Sequence, residues 1–166
     1  MTTNDATQLA ERARKERWAP VLDRFLGAHH SFRQADDAER TRGIDRVSSG
    51  AGGRSATIEY RCDERAHHSG SVFIEVLRAG ANIVVGTDAT WILYLIAPRK
   101  LLVFRTARLC RALGGWAPRC RIRPAAGGAM GLLVSTPIAE LAAERVVRLD
   151  QPDPDGHAFL LEGHAP

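Results

Sequence analysis

Gly-Ile-Asp-Arg-Val (43–47), Ser-Gly-Ala-Gly-Gly (49–53), Ala-Thr-Ile-Glu-Tyr-Arg-Cys (56–62) and Gly-Ser-Val-Phe-Ile-Glu-Val-Leu (70–77) follow one another with little between them. Short runs rich in β-branched and aromatic residues and bounded by glycines predict three successive strands, over about 44–48, 56–62 and 71–77. The glycines at 50, 52 and 53 suit a tight return between the first two. Alternate residues of a strand share a face, so Glu59 and Arg61 project together while Ile58, Tyr60 and Cys62 point the other way. If the return folds the first strand against the second, Asp45 lies next to Glu59, and the third strand is expected to bring Glu75 to the same point from the other side. A strand that serves only as core avoids a carboxylate in mid-run, which makes these acids candidates for chemistry.

Working outward, residues 6–17 are strong helix formers with little apolar face and read as a mobile basic helix. Trp18, Val21, Leu22, Phe25 and Leu26 recur at helical spacing, which predicts an amphipathic helix with Pro20 in its first turn and Gly27 at its end. Residues 28–42 read as a connection or a short polar helix. Ala89 to Ala97 is too continuously apolar to assign by period and fits a buried strand or a short helix. Leu101 to Arg105 reads as a strand, and Thr106 to Leu113 as a helix capped by Thr106 and stopped by Gly114-Gly115. Leu132 to Ser135 reads as a strand, Ile138 to Glu144 as a short helix after Thr136-Pro137, and Val146 to Leu149 as an edge strand. Trp91, Tyr94, Phe104 and Trp116 read first as core. This order predicts an α/β fold, a mixed sheet covered by helices, in one domain over 1–149, followed by an acidic, loosely ordered tail over 150–166.

A chain of 166 residues can bury about two-thirds of its unfolded surface, so it needs no staples. Its three cysteines, Cys62, Cys110 and Cys120, are odd in number and lack Cys-x-x-Cys spacing, which excludes a disulfide framework or zinc knuckle. The polar N-terminus and the lack of any long apolar run point to a soluble, cytoplasmic protein without a membrane partner. The net charge is +4, yet the chain from Asp150 onward carries four acids and no Lys or Arg, leaving +8 on residues 1–149. Between Ala89 and Ala139 stand eight basic residues, among them Arg119, Arg121 and Arg123, and no acid. That one-sign stretch is the footprint expected for a polyanion, with Arg99, Lys100, Arg105, Arg108 and Arg111 as the nucleic-acid-binding set.

Three carboxylates at one point repel one another unless a cation lies between them. Oxygen ligands favour Mg²⁺ (or Mn²⁺), so Asp45, Glu59 and Glu75 form the candidate metal cluster. A metal held there would polarise a phosphoryl oxygen and activate water for phosphodiester hydrolysis, with Arg61 stabilising transition-state charge. Arg61 cannot serve as a base, because it stays protonated.

The sequence resembles the PD-(D/E)XK nuclease superfamily in these residues: Asp45 on one strand, Glu59-Tyr60-Arg61 on the next and Glu75 on the one after. The segments Ile-Glu-Tyr-Arg-Cys-Asp-Glu-Arg-Ala (58–66) and Ser-Val-Phe-Ile-Glu-Val (71–76) look like a phage or prophage-type, restriction-endonuclease-like branch, and the likeness covers roughly residues 43 to 116 in motif order and spacing. It implies a restriction-endonuclease-like mixed sheet flanked by helices, a Mg-dependent nuclease acting on DNA, catalytic roles for Asp45, Glu59, Arg61 and Glu75, and assembly as a homodimer. Arg61 stands where the family carries lysine, and Asp45 lacks the preceding proline. The alternatives are a catalytically inactive nucleic-acid-binding module on the same fold, and a protein-interaction domain with a basic face. His67-His68 reads as exposed loop histidines near the cluster. No Gly-x-Ser-x-Gly elbow, phosphate loop or dinucleotide fingerprint is present.

Overall fold

A computed structural model of the chain describes residues 3–27, 30–49, 55–79, 82–124 and 130–150, with side chains from residue 13 onward except those of 78–79 and 82–83. The glycine-rich return and the acidic tail expected beyond Asp150 lie outside the described residues.

The three strands of the opening stretch are β2 (Arg46–Ser49), β3 (Ser55–Asp63) and β4 (Ser71–Ala79). β2 pairs antiparallel with β3, with Arg46 opposite Ile58. The other neighbour of β3 is the parallel strand β6 (Trp91–Ile96), so β4 does not continue the sheet. A six-stranded sheet runs β1 (Ser31–Gln34), β2, β3, β6, β7 (Lys100–Arg105), β10 (Arg145–Arg148). A four-stranded sheet runs β5 (Asn82–Val84), β4, β9 (Met130–Ser135), β8 (Arg121–Pro124). The fold is mixed α/β.

Two apolar layers hold it. One face of the large sheet presents Ile58, Tyr60, Trp91, Leu93, Leu95, Leu101 and Val103 to Leu22, Phe25 and Leu26 of helix α1 (Thr3–Gly27). Its other face presents Ile92, Tyr94, Ile96, Leu102 and Phe104 to Val72, Ile74 and Val76 of β4, Leu132 and Val134 of β9, and two helices, α4 (Thr106–Trp116) and α5 (Thr136–Ala142). Every residue of β6 is buried, which is why its sequence is a continuous apolar run instead of an alternating one.

Several expectations are corrected. Residues 3–27 form one continuous helix with Pro20 inside it, not a mobile helix followed by a second one. Polar contacts supplement its apolar stripe: Trp18 donates to Glu64 at 3.0 Å, Arg46 forks onto Asp23, and the Tyr60 hydroxyl donates to Asp23 at 2.8 Å. The stretch 28–42 contains β1 and the short helix α2 (Asp37–Thr41), closed by a capping box between Asp36 and Glu39. Helix α3 (Ala66–Ser69) sits in the expected polar connection and ends on Gly70, whose φ of +68° needs glycine. Helix α4 runs through Gly114-Gly115, and Thr106 does not cap it but donates to the Ala89 carbonyl.

Gly131 is constrained by space: a Cβ there would run into the ring of Phe73 on the paired strand β4. Gly131→Ala is expected to lower stability by about 1–3 kcal/mol, read by denaturant unfolding, because the ring must leave its site. An unchanged midpoint would mean that Phe73 relaxes freely.

The Glu39 carboxylate receives both arms of Arg33 at 2.7 Å and the Asp36 N–H at 2.9 Å. Arg33 first, then that backbone donor, lowers its pKa from 4.5 to about 2. A depressed carboxylate stabilises the fold above its unfolded pKa and loses that contribution as pH falls through the folded one, here between 4.5 and about 2. Carboxyl NMR of Glu39 is expected to titrate near the lower value and to move up in Arg33→Ala. A wild-type midpoint in the ordinary range would contradict the fork.

Candidate functional site

The register that sets Arg46 opposite Ile58 would set Asp45 opposite Glu59 if β2 ran one residue further. Instead β2 ends, and Asp45 Oδ2 accepts the Tyr60 N–H at 2.7 Å, a backbone donor that β2 no longer covers. Lys15 of α1 reaches the same oxygen at 3.0 Å. Asp45 therefore caps a strand edge and anchors the N-terminal helix. Cys62 feels the same charges, but burial chiefly pushes its thiol up to about 12, so it is a partly buried, protonated thiol rather than a nucleophile.

Glu59 and Arg61 turn the other way, toward the second sheet. Arg61 Nε lies 3.0 Å from Glu59 Oε1, with side chains 14% and 7% exposed. The Nε–H is not aimed along that line, so charge holds the pair more than a directed hydrogen bond does. Burial opposes the guanidinium charge, yet Glu59 and, next among the carboxylates, Glu75 outweigh it and raise the Arg61 pKa. Glu75 stands on β4, in the other sheet, and alternates with Ile74 and Val76, so its charge adds to that of Glu59 without a direct contact to Arg61. The second oxygen of Glu59, Oε2, is buried without a hydrogen-bond partner.

Beside this pair lies a network that the sequence reading missed. The Tyr94 hydroxyl is 3.0 Å from Asp63 Oδ2 and 2.9 Å from the Phe73 carbonyl, and it accepts the Phe73 N–H at 3.1 Å. Asp63 Oδ1 accepts the N–H groups of Arg65 and Ala66. Together these fasten the open edge of β4 to the end of β3 and to α3. Burial first, and the Asp63 charge second, hold the Tyr94 hydroxyl well above its ordinary pKa, so it stays protonated. A polar residue in the middle of an otherwise apolar strand was the signal available for Tyr94.

The expected three-carboxylate cluster does not assemble. Asp45 serves Lys15 and the Tyr60 N–H, while Glu59 pairs with Arg61, and among the described residues no three His, Cys, Asp or Glu side chains are grouped to hold a metal ion. Mg²⁺ or Mn²⁺ does not fit this arrangement: where a divalent ion would meet Glu59, the chain supplies its own guanidinium. His67 and His68 lie exposed on α3, in edge contact with each other.

The expected nucleic-acid-binding set is also largely spent. Lys100 pairs with Glu140 at 2.6 Å, Arg108 with Glu144 at 3.0 Å and Arg99 with Asp150 at 3.7 Å. Arg105 lies over the Trp91 ring, 5.0 Å from its centroid. Three of the eight cations in the acid-free stretch are thus paired with acids that follow it in sequence. Arg111, Arg119, Arg121 and Arg123 are exposed and have no carboxylate partner among the described residues. Arg121 and Arg123 share one face of β8, opposite Leu133 and Gly131 of β9, at the edge of the four-stranded sheet.

The chain matches no protein-family model, no curated protein and no solved structure. The likeness to PD-(D/E)XK nucleases therefore rests on motif order alone. No helix among the described residues is long and apolar enough to cross a membrane.

Proposed function

We propose that this chain is a nucleic-acid-binding domain that holds the phosphate backbone through arginine side chains and requires no metal ion. The observation that supports this reading is the set Arg111, Arg119, Arg121 and Arg123, exposed and without a carboxylate partner among the described residues, while the other cations of the basic stretch have found acids or an aromatic ring. Guanidinium forks match phosphate oxygens in pairs. Arg121 and Arg123 stand about 6.6 Å apart along their strand, so each can meet a different phosphate of one strand. Such contacts position the backbone and read no sequence.

Metal-dependent hydrolysis at Asp45 and Glu59 is the second reading, favoured by the near-register of the two acids and by the unpartnered Glu59 Oε2. It would require Asp45 to leave Lys15 and Glu59 to leave Arg61. Fluorescence anisotropy with a short DNA duplex in EDTA, and a nicking assay with Mg²⁺ or Mn²⁺ on the same protein, separate the two. Binding in EDTA without nicking is expected. Metal-dependent nicking that Asp45→Ala abolishes would replace the proposal with the second reading, and absence of any binding would remove it.

A further inference from the structure

The large sheet ends at β10, whose partner is β7; its other edge has no strand against it among the described residues. Val147 points into the layer under α1, so Val146 faces the other side, the side of α5, and is 42% exposed. Leu141 at 79% and Ile138 at 44% add two more large apolar side chains, three residues apart on the solvent side of α5. An open strand edge beside exposed apolar side chains is a template for strand addition.

We infer that this edge is a self-association surface, at which β10 pairs antiparallel with β10 of a second copy about a two-fold axis through Val146. The charges select both the occupant and the register. With Val146 opposite its own symmetry mate, Glu144 of each copy meets Arg148 of the other on the same face. Moving the axis one residue back to Arg145 would set that arginine against its own symmetry mate, and moving it one residue on to Val147 would set Glu144 against Asp150, both of which like charge disfavours. Arg108 already holds the Glu144 carboxylate at 3.0 Å while leaving it 29% exposed, and Arg148 is exposed. A two-fold axis normal to the sheet keeps α5 of both copies on one face, so Val146 and Leu141 of the two copies approach each other across the axis, as a closed isologous pair requires.

Sedimentation equilibrium on the full chain tests this, with circular dichroism to confirm that each variant is folded. The wild type is expected to be a dimer. Arg148→Glu, which sets Glu against Glu at two symmetric positions, is expected to raise the dissociation constant about 30-fold. The double reversal Glu144→Arg with Arg148→Glu is expected to restore dimerisation, although it leaves Arg108 without its acid. Leu141→Glu should weaken the dimer without affecting the fold. A monomeric wild type would overturn the inference. So would a dimer indifferent to Arg148→Glu, or a double reversal no better than the single one.

Discussion

Arg61→Ala is expected to destabilise the protein by about 3–5 kcal/mol, the cost of leaving a buried carboxylate without its counter-charge. The guanidinium is the cation that pairs with Glu59, and it is 14% exposed on its side chain. Without it Glu59 would be a buried carboxylate with no counter-charge, and its second oxygen already lacks a hydrogen-bond partner. Replacing the pair together, as Glu59→Leu with Arg61→Met, is expected to cost far less, because buried ion pairs contribute little beyond what well-packed apolar residues supply. Denaturant unfolding of the three proteins checks this. A single variant as stable as wild type would mean that water or another group already satisfies Glu59.

The same pair explains how far the sequence could be read. Glu59 and Arg61 were legible as face-sharing neighbours because strand alternation is local, and β3 keeps it: Ile58 and Tyr60 pack on α1 while Arg61 pairs with Glu59 on the other face. What became of Asp45 was not legible. Its fate depends on where β2 stops and on Lys15, 30 residues earlier, swinging in from a helix whose own pattern is weakly amphipathic. Likewise, nothing local says that β4 leaves the sheet. The neighbour that displaces it, β6, is an apolar run with no period, and only its burial on both faces explains the pattern. The helix through Gly114-Gly115 persists because Leu109 and Leu113 are fixed in the core, which outweighs the weak helix propensity of glycine. The basic stretch was correctly read as one-signed, but Glu140, Glu144 and Asp150 lie just beyond its end, and only the fold returns them to it. Arg121 and Arg123, which have no carboxylate partner among the described residues, lie on a strand too short and too polar for pattern to reveal.

The second large effect falls on those residues. Arg121→Glu with Arg123→Glu removes two of the four proposed phosphate contacts and replaces them with repulsion, so binding to any duplex should weaken regardless of sequence. Both side chains are exposed on an edge strand, and Arg-to-Glu changes there leave the apolar layers untouched, so stability should stay within about 0.5 kcal/mol of wild type.

The most direct measurement is the salt dependence of DNA affinity in EDTA for wild type and this double variant. Four phosphates neutralised give a log–log slope of about −3.6, a loss of about 150-fold between 50 and 200 mM salt, and the variant should fall to about half that slope. A wild type that does not bind, or a variant whose affinity and slope equal those of wild type, would contradict the reading of this surface as a phosphate-binding face.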